Sequence, residues 1–371
     1  MRIGIDGRYA FRTQRRGIGE YVAQLLSQFA TLCDEEFVVY IDRPAEIESL
    51  SLPPDRFRVE RLNVVNPLLF EEVYLPRAVA RDHLDLLHLT ANYGPTIPPC
   101  ATVYTVHDVI EFMRGQIGRW HIDWRHSLGR TVRTRTLRSQ ARRARAIIVP
   151  SEATKRDVVR VLGIEDNGIY VIPHGAPEVQ LTHDPGALRE SLRRRGYAVP
   201  ETYFLAFGAL DPRKNGETVV GAFSQIAEDF SDVELWLVGI ENIDKYTHYQ
   251  YPWLRMYPYI PKDDASDLLK AATGFVYPSR YEGFGFPALE AMACGVPLIA
   301  ASSSAIPEVV GGAGLMLHPD DVSGFSSAMR RVLTDADLRQ RLRMAGLSRA
   351  AGFDWQESAM RHLTLYRQVG R

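Results

Sequence analysis

Eleven short apolar runs, several of them apolar throughout rather than alternating, limit this chain's fold more than any other feature. Six come first: "RIGID" (2–6), "EFVVYI" (36–41), "LDLLHL" (84–89), "ATVYTV" (101–106), "AIIVP" (146–150) and "IYVIP" (169–173). Five follow after a gap: "TYFLAFGAL" (202–210), "VELWLVG" (233–239), "GFVYPS" (274–279), "VPLIA" (296–300) and "GLML" (314–317). A strand apolar on both sides needs cover on both sides, the condition inside a parallel sheet flanked by helices. Helical patterns lie between the runs, at 17–32, 151–162, 214–229, 263–272, 287–294 and 321–333. The alternation predicts an α/β fold of open, doubly wound parallel sheets.

At 371 residues the chain is long for one core and comfortable for two. The gap at 174–201 carries proline, glycine and charge but no strand pattern, and reads as a linker with a short helix. The expected division is an N-terminal domain 1–173, the linker 174–201, a C-terminal domain 202–353 and a closing helix 354–371. That helix has Trp355, Ala359, Leu363 and Tyr366 at helical spacing and no strand after it, so it must pack on something already built. Ligands of open α/β sheets bind outside the C-terminal strand ends, so two such domains facing each other predict a cleft between them.

A net charge of −1 gives no reason to expect a nucleic-acid partner. The three cysteines, Cys33, Cys100 and Cys294, are far apart and form no C-x-x-C pair, which suits a reducing cytoplasm. The opening "MRIGIDGRYA" lacks the apolar region of a secretory signal, and no apolar stretch approaches the roughly 20 residues of a membrane span, so any membrane contact would be peripheral.

The stretch "YEGFGFPALEAMACGVP" (281–297) carries the chemistry. Gly283 and Gly285 let the backbone approach a ligand closely, Pro287 suits a first helical position and Gly295 a helix end. The helix start favours an anion. Glu282, read as lying at the strand end, and Glu290, one turn into the helix, flank one small space, where a carboxylate suits a vicinal diol. A glutamate near a helix start is also favoured by the helix dipole alone.

With "FGALDPRKNGETVVGAF" (207–223), "VPSEATKRDVV" (149–159), "YTVHDV" (104–109), "PEVVGGAGLMLHPDD" (307–321) and "IDGRY…RRGIGEYVAQLL", this stretch resembles the retaining glycosyltransferases of family 4. The shared signature is E-x7-E, here Glu282 to Glu290. The resemblance implies a GT-B fold: two Rossmann-like domains, a nucleotide-sugar donor held mainly by the C-terminal one, and an acceptor held mainly by the N-terminal one. It implies that the closing helix returns to the N-terminal domain. It implies a GDP- or UDP-sugar donor, a glycan or lipid-linked acceptor, and no metal or other cofactor. The lean is toward mannosyltransferase-like members of cell-surface polysaccharide pathways. The D-x-D at Asp335–Asp337 reads as a helix cap rather than a metal site.

By resemblance Arg213 and Lys214 clamp the donor diphosphate. Family members often carry an arginine where this chain has Ala209, and Arg213 then stands in for it. Glu282 and the backbone of Phe284, Gly285 and Phe286 hold the sugar hydroxyls and distal phosphate, Glu290 hooks the ribose, and Tyr259 and Ile260 frame the base. In the N-terminal domain Gly17 gives close approach to phosphate or acceptor, with Gly19, Arg15 and Arg16 beside it. His107 contacts the transferred sugar near its anomeric carbon, and Asn92 and Tyr93 touch the acceptor. Two other readings stay open: a nucleotide-sugar epimerase or hydrolase of the same fold, and a non-catalytic sugar-nucleotide-binding subunit. Eight arginines between 125 and 145, near Trp120 and Trp124, suit either a solvated helix face or contact with an anionic membrane.

Overall fold

A computed structural model describes the chain except residues 13–14, 16, 44–49, 114–135, 180–184, 209–211, 241–242, 247–248 and 371. The described residues form two compact units. The N-terminal unit holds the residues up to Gly175 and the segment from Asp354 onward, and the C-terminal unit is Ala176–Phe353.

The N-terminal sheet has seven strands: β1 (Arg2–Asp6), β2 (Glu36–Ile41), β3 (Phe57–Arg61), β4 (Leu86–Leu89), β5 (Ala101–Thr105), β6 (Ala146–Val149) and β7 (Ile169–Val171). They lie in the order β3-β2-β1-β4-β5-β6-β7, every pair parallel. The C-terminal sheet has six: β8 (Thr202–Phe207), β9 (Val233–Val238), β10 (Leu254–Tyr257), β11 (Gly274–Tyr277), β12 (Leu298–Ala301) and β13 (Leu315–Leu317). Their order is β10-β9-β8-β11-β12-β13, again parallel throughout. Each unit is thus Rossmann-like. The winding reverses between β1 and β4 in one and between β8 and β11 in the other, the switch points where such sheets hold ligands.

The fully apolar runs became the central strands because both of their faces are covered. β4, β6, β11 and β12 are buried along their whole length. Two strands were not among the expected runs. β3, "FRVER", and β10, "LRMY", are two of the four edge strands, each with a single neighbour and incomplete burial. An edge strand tolerates charge on its open side, so neither reads as an apolar run.

Helix Gly17–Leu32 buries Tyr21, Val22, Leu25, Leu26 and Phe29 on one face. Helix Trp355–Val369 packs against it with Trp355, Ala359, His362, Leu363 and Tyr366 buried. Asp354 starts that helix by accepting the Gln356 N–H at 2.7 Å. Trp355 in turn requires Gly175, where a Cβ would lie 2.4 Å from the indole. Where a helix was expected over 214–229, Gly216–Ser224 is helical, because Asn215 takes a left-handed conformation at φ 58. The helix expected at 287–294 starts one residue earlier, at Phe286, which makes Pro287 its second residue. Among the described residues no helix is long and apolar enough to cross a membrane.

Candidate active site

The C-terminal switch point is built from two loops tied together. After β8 the chain turns through Arg213 and Lys214 into buried Asn215. Asn215 Nδ2 donates to the carbonyls of Pro278, at 3.2 Å, and Pro319, at 2.6 Å. Its Oδ1 accepts from Thr218 Oγ1 at 3.0 Å and Arg280 Nη2 at 2.7 Å. The Arg280 N–H donates to the Arg213 carbonyl at 2.8 Å. The turn bearing the two cations is therefore pinned to the loop that follows β11.

Glu282 lies in that loop, five residues past the end of β11 at Tyr277, not at the strand end as the sequence suggested. Its side chain is buried and ringed by donors. Oε2 accepts from Arg213 Nη1 at 3.0 Å, and Oε1 accepts from Lys214 Nζ at 2.7 Å and Ser279 Oγ at 2.6 Å. Its backbone N–H donates to Ser304 Oγ at 2.8 Å. Burial alone would raise the Glu282 carboxyl, but Lys214 and then Arg213 outweigh it and hold it below the ordinary value. Lys214 Nζ also lies 5.0 Å from the Tyr277 ring centroid and 3.3 Å from its hydroxyl. The carboxylate thus fixes two cations side by side, as donors that can meet an anion.

The glycine-rich loop offers its backbone rather than its rings. The Phe284 ring meets Phe286 edge-on at 5.5 Å and Phe353 at 5.8 Å. Between them Gly285 takes φ 109 and ψ 47, closed to other residues, and admits helix Phe286–Ala293. Glu290 is half-buried one turn into that helix. Burial pushes the Tyr277 phenol well up; Glu282, and by a smaller amount Glu290, push it further, so both carboxylates act on one hydroxyl. Tyr259 is exposed, whereas the Ile260 side chain belongs to the apolar core, which leaves only its backbone for a ligand. Asp335 caps helix Ala336–Ala350, its Oδ1 accepting the Leu338 N–H at 2.8 Å. Among the described residues no three His, Cys, Asp or Glu side chains gather as a metal site.

In the N-terminal unit, His107 follows β5. Its Nε2 lies 2.8 Å from the Thr90 carbonyl, which only accepts, so Nε2 carries the proton. Burial lowers the ring to about 4, against a smaller opposing effect of that bond, and His107 is neutral. Asn92 is occupied in holding it: Oδ1 accepts the His107 N–H at 2.9 Å and Nδ2 donates to the Asp108 carbonyl at 3.2 Å. Tyr93, beside it, is half-buried. Gly17 is the first residue of its helix, and a Cβ there would meet no atom of the described residues beyond its chain neighbours within 4 Å. Arg16, Ala209, Trp120, Trp124 and the arginines from 125 to 135 lie outside the described residues; Arg138, Arg142, Arg143 and Arg145 are exposed.

Sequence reasoning assigned no role to several groups the structure brings in. Ser279, Arg280 and Ser304 complete the Glu282 cluster, and the first two stand directly before the stretch 281–297. At the end of β1, buried Arg8 pairs with Asp6 at 2.7 Å and Glu71 at 2.8 Å and covers the Phe70 ring at 4.4 Å. Three further histidines, His88, His174 and His362, join the expected His107 around Tyr21. No local pattern announces them.

Two family models match this chain: "Glycosyltransferase Family 4" over residues 15–178 and "Glycosyl transferases group 1" over 201–335. O-antigen chain mannosyltransferase B of Escherichia coli is 28% identical over 95% of this chain and 96% of its own length. Among solved structures, sucrose-phosphate synthase from Thermosynechococcus elongatus superposes with a TM-score of 0.72 at 22% identity, covering 99% of this chain and 98% of that one. Anabaena HepE, solved with UDP-glucose, gives 0.75 at 17% identity over 99% and 100%. The two Rossmann-like sheets, the basic turn beside β8 and both family matches converge: the chain is a glycosyltransferase of family 4 with the GT-B fold.

Proposed function

We propose that this glycosyltransferase transfers mannose from a nucleoside diphosphate to a glycan hydroxyl with retention at the anomeric carbon, and that it needs no metal. One observation carries the reading: the buried Glu282 carboxylate holds Arg213 and Lys214 side by side at the C-terminal switch point. Two preorganised cations can neutralise a departing diphosphate, the task a divalent ion performs elsewhere. The mannosyl specificity rests on the Escherichia coli relative, which aligns over nearly its whole length.

In this mechanism the bond between the anomeric carbon and the phosphate oxygen breaks as the acceptor oxygen bonds to the same face. The acceptor proton passes to the leaving phosphate oxygen. Arg213 and Lys214 stabilise the charge that grows there, and Glu282 keeps both cations in register. Glu290 holds the ribose diol, and the Phe284–Phe286 backbone lies against the distal phosphate and sugar. His107, neutral and fixed by Thr90, presents an uncharged ring to the sugar, while Asn92 orients it. Gly17 admits a ligand at the start of its helix because no described residue fills the space a Cβ would take.

A thermal-shift and transfer panel of GDP-, UDP- and ADP-sugars, with chelator present and the product anomer read by NMR, tests this. Stabilisation by GDP-mannose with an α-linked product supports it; an inverted product or dependence on added metal overturns it. The exposed Arg138, Arg142, Arg143 and Arg145 would add attraction to anionic lipid, each worth about 1 kcal/mol near a surface. Flotation with anionic vesicles checks that; absence of binding removes the membrane from the account.

A further inference from the structure

Six polar groups inside the N-terminal unit form one hydrogen-bonded chain that begins and ends on the closing helix. His362 Nδ1 lies 2.7 Å from the Ser358 carbonyl, His362 Nε2 lies 2.8 Å from Tyr21 Oη, and Tyr21 Oη lies 3.0 Å from Thr105 Oγ1. Thr105 Oγ1 lies 2.7 Å from His88 Nε2, and His88 Nδ1 lies 2.5 Å from Tyr366 Oη. All six residues are buried.

The direction of every bond in this chain follows from its end. A carbonyl only accepts, so His362 carries its proton on Nδ1, and a neutral ring then offers Nε2 as an acceptor. Tyr21 must donate to it. Tyr21 has one hydroxyl proton, so Thr105 donates to Tyr21. Thr105 has one as well, so His88 donates from Nε2, and the lone pair on His88 Nδ1 accepts from Tyr366. The two histidines are therefore opposite tautomers. No bond can reverse alone without setting donor against donor.

Tyr21 is the member of this chain that meets candidate site elements. It stands one turn after Gly17 in helix Gly17–Leu32, and its ring meets His107 edge-on at 5.0 Å. We infer that His362 and Tyr21 are positioning residues for sugar transfer: the closing helix, through the Tyr21 hydroxyl, fixes the first turn of helix Gly17–Leu32 and the orientation of the His107 ring. The inference rests on the role proposed above for His107.

The test compares Tyr21→Phe, His362→Phe and His362→Gln with His107→Ala, all assayed below their unfolding temperatures with the nucleotide sugar that supports transfer. Tyr21→Phe keeps the ring on His107 and removes only the hydroxyl. Misplacing a reacting group by a fraction of an ångström to an ångström costs roughly 10–100-fold, so Tyr21→Phe and His362→Phe should lose about tenfold in kcat with donor KM little changed. Gln at position 362 offers one acceptor and one donor and should restore most of the rate. Lowered unfolding temperatures with an unchanged kcat reduce the chain to a structural device and overturn the inference. A normal rate for His107→Ala, or no transfer from any donor, instead removes the reading on which it rests. NMR of isotope-labelled histidine gives a readout apart from activity: like tautomers at His88 and His362 also overturn it.

Discussion

The two units share a strand order but treat their polar groups in opposite ways. Of the buried polar and charged side chains among the described residues, fifteen lie in the N-terminal unit and five in the C-terminal one. The N-terminal unit hides an arginine between two carboxylates and three fully enclosed histidines, His88, His174 and His362, beside half-buried His107. Among the described residues the C-terminal unit has one continuous apolar core, with Trp236, Tyr203, Phe204 and Phe223 among its largest fully buried side chains, and one buried ionised side chain, Glu282, which sits where the basic turn needs it. A buried polar network adds little net stability but permits few alternative arrangements. The N-terminal interior accordingly favours a unique docking of its last helix, whereas the C-terminal interior uses its buried carboxylate to fix the basic turn.

Acid separates the two units most strongly. Burial holds His107 and His362 at about 4, and His88 and His174 well below the ordinary 6.5. These rings face Tyr21, Thr105, Tyr366, Trp355 and one another, with Arg361 disfavouring charge on His362. With native values depressed, the unfolded chain binds more protons over that interval, so stability falls as pH drops from 6.5 toward 4 and is complete at neutral pH. Glu282 is also depressed, but its contribution is lost only as pH falls below the ordinary glutamate value of 4.5. Scanning calorimetry should show the N-terminal unit unfolding first as the buffer is acidified from neutral. Equal sensitivity of both transitions would break the contrast.

Next in size are substitutions in the cation pair. Lys214→Ala should cost about 10²–10³ in kcat, the usual loss when a preorganised donor to developing charge is removed. Glu282→Ala should fall in the same range because it releases both cations, and it should also destabilise the C-terminal unit by about 3–5 kcal/mol. Near-normal turnover of Glu282→Ala would sink the role given to it. Glu290→Ala should leave kcat nearly intact and weaken donor binding about tenfold, or about 1.4 kcal/mol. A fall in kcat without a change in donor KM would move Glu290 from the nucleotide to the chemistry.

The same contrast explains what could be read from the sequence. Strands such as β6 and β12 were legible because burial on both faces leaves a run of apolar letters. β3 and β10 were not, since these two edge strands carry Arg58, Glu60 and Arg255 and show no apolar run, unlike the edge strands β7 and β13. In the C-terminal unit, Arg213, Lys214, Ser279 and Glu282 come from two short stretches, so their residue types were visible although their pairing was not. The N-terminal network gave no such sign. Tyr21 and His362 are 341 positions apart, His88 and Tyr366 are 278 apart, and a histidine inside a strand reads as one more satisfied core residue.

The smallest expected effect is at two neighbouring glycines of the N-terminal unit, and it separates packing from binding. A Cβ at Gly19 would lie 2.7 Å from the Tyr9 carbonyl oxygen, so Gly19→Ala must push the backbone of that loop aside. A Cβ at Gly17 meets none of the described residues within 4 Å beyond its chain neighbours, and replacing glycine by alanine at a helix start removes backbone freedom from the unfolded chain, worth about 0.4–1 kcal/mol in favour of folding. Gly19→Ala should therefore lower the unfolding temperature by a few degrees, whereas Gly17→Ala should hold or raise it. If the space at Gly17 is kept for a ligand, Gly17→Ala should slow transfer although it stabilises the fold. Unchanged kinetics in a stabilised Gly17→Ala protein would show that the helix start takes no part in binding and would place the anion site of this enzyme wholly at Arg213 and Lys214.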